Sequence, residues 1–121
     1  MIMKKEVKRC EDLQVWKDSM NLTISVYENL KLCKDYGLKD QMQRAAVSIP
    51  SNIAEGFERQ TNKEFIQFLY IAKGSCAELR TQLYLSIKFN YLSKEDGMVL
   101  IEKAECISKM LYKLIIYRKN E

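Results

Sequence analysis

Residues 44–59 read RAAVSIPSNIAEGFER, and this stretch contains Pro50, the one proline of the 121-residue chain. Apolar side chains recur on both sides of the proline at helical spacing, at Ala46, Ile49, Ile53 and Phe57. A loop would shift that phase, so the spacing favours one helix that continues through the proline. A proline inside a helix removes one backbone hydrogen bond and clashes with the carbonyl group four residues earlier. The sequence therefore predicts a continuous second helix, from about Leu38 to Arg59, that is kinked at Pro50.

A second interpretation of Pro50 stays open at this point. The proline could separate two short helices, with Ser48 capping the second one. In the continuous helix, the same angular count puts Pro50 at the edge of the apolar face, toward solvent, where it would set the curvature of the helix.

Three further segments show helical apolar spacing. The first, from Glu11 to about Leu32, has a main stripe and a second stripe beside it, and its pattern ends at a predicted turn, Asp35-Tyr36-Gly37. The third begins at the capping pattern Thr61–Glu64 and runs to about Asn90, and the fourth begins at the similar pattern Ser93–Asp96. The main stripe of the first helix is Leu13, Trp16, Met20, Thr23, Tyr27 and Leu30, and the second is Val15, Leu22 and Val26.

Four amphipathic helices with short connections predict an all-α fold, an up-down-up-down antiparallel four-helix bundle. The bundle domain is expected over residues 11–118, and residues 1–10 are expected to form a flexible basic arm.

The composition excludes several classes of function. No apolar run approaches the roughly 20 residues that a membrane span needs, and residues 1–13 contain no secretory h-region, so we expect a cytoplasmic protein with no membrane partner. The chain has no histidine, and its four cysteines are scattered without a C-x-x-C pair. We therefore predict free cysteines, no metal and no cofactor, and the usual histidine-based nucleophile pairs are excluded.

The net charge of +4 is concentrated at the two ends of the chain. Residues 1–9 and residues 103–121 each carry +3, which leaves the middle at −2. Two interpretations stay open: contact with an anionic partner such as RNA, or solubility alone. The candidate residues for nucleic-acid contact are Lys4, Lys5, Lys8, Arg9, Lys113, Arg118 and Lys119.

A polar stripe borders the apolar face of helix two, and a similar one lies on helix three. Its residues are Gln41, Arg44, Ser48, Asn52, Glu55 and Arg59 on helix two and Ser75, Glu78 and Gln82 on helix three. Antiparallel register would bring Arg44 opposite Glu78, where a charge-assisted pair is expected. The stripe is interpreted as an assembly site or as a structural network.

Helix three is apolar over more of its circumference than an isolated bundle requires. Phe68, Ile71, Leu85 and Phe89 widen its main apolar stripe. A monomer would leave part of this surface in water, and large exposed apolar patches usually mark interfaces. The pattern predicts a closed homo-oligomer that uses helices one to three.

The stretch RAAVSIPSNIAEGFER, preceded by Tyr36-Gly37-Leu38 and Gln41, resembles the four-helix bundle protein family, also called the 23S rRNA-intervening sequence proteins. The resemblance includes Leu13-Gln14-Val15-Trp16 in helix one. In helix three it includes Phe65, Phe68-Leu69, Ala72, Gly74-Ser75, Glu78-Leu79 and Gln82-Leu83. It covers residues 11 to 116.

The resemblance implies a small all-helical protein that forms ring-like homo-oligomers, with a pentamer favoured, and it implies no catalytic activity. Some members are encoded inside insertions in large-subunit ribosomal RNA genes, which suggests association with RNA. A similar family provides the accessory protein of diversity-generating retroelements, a strongly basic bundle that binds nucleic acid and a reverse transcriptase. The charge of +4 in this chain is modest by comparison.

Three functional hypotheses follow. The first is a non-enzymatic homo-oligomer that associates with RNA or a ribonucleoprotein. The second is a protein-interaction scaffold, or an accessory subunit of a reverse-transcriptase system, that does not bind RNA directly. The third is an enzyme that uses Arg44, Asn52, Glu55 and Glu78 in acid–base work, and it is the least favoured because the same spacing suits a structural network.

Overall fold

A computed structural model describes residues 8–121, and these residues form four long helices and no strand. A short 3-10 turn, Cys10–Asp12, leads into α1 (Gln14–Asn29), which is followed by α2 (Tyr36–Phe57), α3 (Asn62–Lys88) and α4 (Lys94–Lys119). The predicted all-α four-helix bundle is confirmed. Residues 1–7 of the predicted arm lie outside the described residues, whereas Cys10 is buried against the bundle.

Side-chain caps begin three of the helices. Thr61 accepts a hydrogen bond from the N–H of Glu64 at 3.2 Å, and Ser93 accepts one from Asp96 at 3.0 Å, as the two capping patterns predict. Asp35 caps α2 by accepting from the N–H of Leu38 at 3.1 Å. The turn predicted around Asp35 is therefore a helix start, and its glycine lies in the first turn of α2.

Each helix contacts the helices before and after it in the chain, and α4 contacts α1. Within residues 8–121 the backbones of the diagonal pairs, α1 with α3 and α2 with α4, do not come close to each other. Early residues of α2 meet late residues of α3: Met42 contacts Ser86, and Gly56 approaches Phe68. These two helices therefore run antiparallel, and the four helices surround a single apolar core.

The core face of α1 differs from the predicted main stripe. Met20 and Tyr27, which belong to that stripe, are exposed, whereas the neighbouring stripe of Val15, Leu22 and Val26 is buried. Both stripes are apolar, so periodicity alone did not determine which one faces α2 and α4. Ser19 joins the buried stripe because its hydroxyl donates to the carbonyl of Trp16 at 2.8 Å.

Pro50 lies inside an uninterrupted α2, so the prediction of a continuous helix is confirmed, while the bend remains a prediction. The expectation that Pro50 faces solvent is wrong, because the residue is buried. Proline deprives the Ala46 carbonyl of its usual N–H donor. Thr23 of α1 supplies a substitute: its Oγ1 lies 3.0 Å from the Ala46 oxygen and 2.8 Å from the Ser19 oxygen, so the two carbonyls share its one proton. Helix α1 therefore reaches the edge of α2 that was expected to face water.

A double-mutant cycle tests this substitution of donors. Thr23→Val should destabilise the fold by about 1–3 kcal/mol, because the buried Ala46 carbonyl would lose its donor. In a Pro50→Ala background, the restored N–H would bond the same carbonyl, so Thr23→Val should cost less. Urea unfolding of the four proteins measures the difference. An equal cost in both backgrounds would contradict the role of Thr23.

Gly56 permits a close approach of α2 and α3 near the connection between them. A Cβ atom built at this position would lie 2.6 Å from Cβ of Phe68 and 3.0 Å from Cδ1 of Phe65. Real Cβ atoms do not tolerate the first distance, so the backbone separation here requires glycine.

Gly56→Ala should destabilise the protein by roughly 1–3 kcal/mol through overpacking, which exceeds the gain in helix propensity of up to about 1 kcal/mol. Gly37→Ala is the matched control, because a Cβ there meets only Asp35, at 3.8 Å. The control should be neutral or stabilising in the same unfolding measurement. A Gly56→Ala protein as stable as the control would show that the two helices can move apart at little cost.

Candidate functional surface

The polar stripe lies on the seam between α2 and α3, where three of its residues form a chain of hydrogen bonds. Asn52 Nδ2 donates to both Oγ and the carbonyl oxygen of Ser48, each at 2.8 Å. Ser48 Oγ is 2.8 Å from Ser75 Oγ, and Ser75 Oγ donates to the carbonyl of Ile71 at 3.2 Å. If Ser48 donates to Ser75, every donor in the chain is used. We name these three residues the serine–asparagine seam, and it ties α2 to α3 at mid-height.

At the end of the stripe nearest the α2–α3 connection, Arg59 lies among charged and aromatic side chains. Arg59 pairs with Glu55 at 3.0 Å and lies 3.8 Å from Glu64 of α3. Its guanidinium also lies 4.9 Å from the ring centre of Phe68. These groups are partly exposed, so the ion pairs add little stability, but they hold the two helix ends in one arrangement.

The expected pair between Arg44 and Glu78 is wrong. Arg44 instead pairs with Asp40, one turn earlier in α2, at 2.8 Å. The hydrogen bond to the Asp40 carboxylate raises the pKa of Arg44 above its ordinary value. Asp40 lies at i,i+4 on the same exposed helix face, so Arg44 can pair with it without crossing the seam between the helices.

The remaining stripe residues divide between the surface and the interior. Gln41 and Glu78 are exposed, whereas Gln82 is buried. The Gln82 Oε1 atom is enclosed and has no hydrogen-bond partner among the described residues. The stripe is thus one hydrogen-bonded seam and two separate ion-pair groups.

The residues of the catalytic hypothesis do not come together in one site. Arg44 is held by Asp40, Glu55 is held by Arg59, and Asn52 is used within the serine–asparagine seam. Across residues 8–121, no group of three His, Cys, Asp or Glu side chains is arranged to hold a metal ion. No helix of this part of the chain is long and apolar enough to cross a membrane.

The candidate nucleic-acid residues have different surroundings. Lys4 and Lys5 lie outside the described residues, Lys8 is exposed, and Arg9 pairs with Glu11 at 3.4 Å.

Of the three candidates on α4, Arg118 is the most engaged. It donates to Asn62 Oδ1 at 2.7 Å, pairs with Glu121 at 3.3 Å and lies over the ring of Phe65 at 4.8 Å. Lys113 is exposed, and Lys119 Nζ donates to the hydroxyl of Tyr70 at 2.9 Å. Arg118 therefore fastens α4 to α3, and the two lysines present their charge at the surface.

Two apolar faces are left exposed on different helices. The first, which we call the α3 face, consists of Ile71, Leu85 and Phe89, whose exposures are 51%, 41% and 53%. The second, the α1 face, consists of Met20, Ile24 and Tyr27 at exposures between 37% and 53%. Met20, Ile24 and Tyr27 recur on successive turns and form a continuous stripe, whereas Ile71 is separated from Leu85 and Phe89 by the exposed Glu78 on the same side of α3. Because α1 and α3 are diagonal in the bundle, the two faces lie on separate parts of the surface.

The fold and this surface define a class: a small all-α bundle with a hydrogen-bonded polar seam between α2 and α3 and exposed apolar side chains on α1 and α3. The family model described as 23S rRNA-intervening sequence protein matches residues 11–113. The chain belongs to this family.

A solved structure shares the fold over most of both chains. It is the 1.70 Å crystal structure of a protein of unknown function from the S23 ribosomal protein family of Bacteroides thetaiotaomicron VPI-5482. The identity is 27%, the TM-score is 0.79, and the alignment covers 84% of this chain and 97% of that one. No curated protein matches the chain.

The four cysteines are free, as predicted, and they differ in accessibility. Burial raises the pKa of the Cys76 thiol to about 12 and that of Cys10 to about 11. Cys33 is also buried, whereas Cys106 is exposed on α4.

One thiol should therefore react quickly in the folded protein. At pH 8 a disulfide reagent such as DTNB should label Cys106 in a fast phase, because the three buried thiols are shielded from the reagent. Cys106→Ser should abolish that phase, and Cys76→Ser should leave it unchanged. Two or more fast thiols in the folded wild-type protein would contradict the assignment.

Proposed function

We propose that this protein is a non-enzymatic, cytoplasmic helical-bundle protein that works as a closed homo-oligomer and associates with RNA. The observation that carries the assembly is the α3 face, where Ile71, Leu85 and Phe89 are each about half exposed in the single chain. Burial of such side chains releases roughly 25 cal/mol per Å2 of apolar area. A second copy of the chain is the partner that the family resemblance favours.

The separation of the two apolar faces supports a head-to-tail arrangement. The α3 face of one subunit would pack on the α1 face of the next, so each subunit uses two different surfaces. Contacts of this kind generate a ring when the rotation between subunits closes. Five subunits is the number implied by the family resemblance.

Gly74 supports the same surface as a contact. It lies exposed within α3, between the levels of Ile71 and Ala77, and a Cβ built there meets nothing within 4 Å. Glycine in a helix interior costs about 1 kcal/mol relative to alanine, and no neighbour within the described chain offsets that cost. Close approach of a helix from a second subunit would offset it.

The RNA association is supported by the family description and by the basic second half of α4. From Ser108 to Lys119 the helix carries four basic residues and no acidic one. The competing hypothesis, a scaffold or accessory subunit without direct RNA binding, shares the proposed assembly and differs only in the ligand.

Sedimentation equilibrium at micromolar concentration tests the assembly. The wild-type protein should sediment as a multiple of its 14.3 kDa chain mass. Leu85→Glu and Phe89→Glu should shift it toward monomer, because each would bury a charge at the contact. Val99→Glu is the matched control, because Val99 is 51% exposed on α4, outside both faces, and its mass should be unchanged. Circular dichroism verifies that each variant is folded.

A wild-type protein that sediments as a monomer would overturn the assembly. A second variant separates contact from stability: Gly74→Ala should strengthen the isolated helix yet weaken association, because the added methyl group would hold the partner helix away. If Gly74→Ala raised stability and left the mass unchanged at every concentration, the contact would not include α3 at Gly74.

A further inference from the structure

Tyrosine and lysine side chains lie close together on the outer surface where α3 packs against α4. We call it the tyrosine–lysine surface, and it consists of Tyr70 and Lys73 on α3 with Lys109, Tyr112, Lys113 and Lys119 on α4. A groove of about 480 Å3 runs along it, lined by Lys73, Ser108, Lys109, Tyr112 and Lys113. Of the six residues of this surface, the sequence predicted only Lys113 and Lys119 as nucleic-acid contacts. That prediction rested on the charge at the chain ends, which says nothing about α3.

The two tyrosine rings are presented to solvent with ammonium groups beside them. Tyr70 is 44% exposed and Tyr112 is 51% exposed. Lys73 Nζ lies 6.0 Å from the ring centre of Tyr112, and Lys119 Nζ lies 5.2 Å from that of Tyr70. Each pair joins α3 to α4, so the rings and the charges are held in a fixed relation by the bundle rather than by a loop.

The surface has no carboxylate of its own. None of the residues that line the groove is acidic. Stretches 65–77 of α3 and 106–119 of α4 contain no Asp or Glu, and the acidic residues of α4 lie in its first half. The ion pairs found among residues 8–121 use arginines, and none uses Lys73, Lys109 or Lys113. The groove lining therefore carries net positive charge, which favours an anionic ligand.

The position of the surface leaves the assembly contact accessible. By helical periodicity, Ile71 and Leu85 turn toward the α2 side of α3, where the serine–asparagine seam lies, whereas Tyr70 and Lys73 turn toward α4. Gly74 lies between these two groups, so a ligand on Lys73 and Tyr112 would lie beside a subunit packed at Gly74 and would use different side chains.

We propose that the tyrosine–lysine surface binds single-stranded RNA, with bases stacked on Tyr70 and Tyr112 and phosphates beside the lysines. Aromatic platforms within a basic groove bind single strands because unpaired bases expose their faces, whereas a duplex hides them. The proposal rests on the RNA association proposed above for its ligand class and adds the location and the strand type.

Fluorescence anisotropy with a labelled 12-nucleotide single-stranded RNA of mixed sequence, titrated with full-length protein across a range of salt, tests the proposal. Tyr112→Ala should weaken binding about 5- to 150-fold without changing the salt dependence, because it removes stacking alone. Lys109→Gln should reduce the slope of log K against log salt by about 0.7, the effect of one lost phosphate contact on a single strand.

Matched variants on other parts of the surface serve as controls. Tyr36→Ala removes an exposed tyrosine at the start of α2, and Lys34→Gln removes an exposed lysine between α1 and α2. Both should bind like the wild-type protein. Sedimentation of each variant verifies that its mass matches that of the wild type, so an effect on binding is not an effect on assembly.

The failures are distinguishable. If no RNA binds at low salt, both the RNA association and the location fail. If RNA binds but Tyr112→Ala and Lys109→Gln match the two controls, only the tyrosine–lysine surface fails. Duplex RNA or polyglutamate that competes as well as the single strand would also overturn the proposal, because the surface would then recognise charge without bases.

Discussion

The hydrogen bond from Thr23 to the Ala46 carbonyl is the constraint on which the placement of α1 depends. Pro50 leaves that carbonyl without an N–H donor in the middle of the most constrained helix, and an unpaired buried carbonyl costs about 1–3 kcal/mol. The donor comes from α1, at 3.0 Å, so a defect in one helix becomes a bond between two. The same orientation of α1 buries Val15, Leu22 and Val26 and leaves Met20 and Ile24 outside. The bond to Ala46 and the burial of this stripe therefore favour one placement of the helix.

The opposite side of α2 is fixed by different means. Gly56 brings α2 against Phe68 near the connection, and the serine–asparagine seam sets the register at mid-height. Every donor in that seam has an acceptor within the chain, so these polar residues are already satisfied and have little to offer a substrate. Within the polar stripe, the serine–asparagine seam and Arg59 are the residues that connect α2 to α3. They leave the apolar part of α3 as the surface without an internal partner.

The sequence predicted the helices well because their signals are local. Apolar spacing and the Thr61 and Ser93 caps depend on residues three or four apart, and the structure confirms them. Choices that depend on a neighbouring helix were not accessible. The core stripe of α1 and the burial of Pro50 each required knowing which helix lies alongside, whereas the Asp40 partner of Arg44 is a local i,i+4 residue that the prediction from sequence overlooked. The tyrosine–lysine surface was missed for the same reason, since Lys73 and Tyr112 are 39 residues apart and meet only when α3 and α4 pack.

The two exposed sides of α3 carry side chains of different chemistry. Toward α2, the helix presents Ile71 and Leu85 beside a seam whose hydrogen-bond donors have acceptors within the chain, which suits burial against protein. Toward α4, it presents Tyr70 and Lys73 beside more lysine, a combination that would be costly to bury against an apolar partner and that suits a solvated polyanion. Under the two proposals, α3 separates an assembly side from a ligand side. In a head-to-tail ring the second side would repeat once per subunit, so weak contacts at single sites would add along one RNA strand.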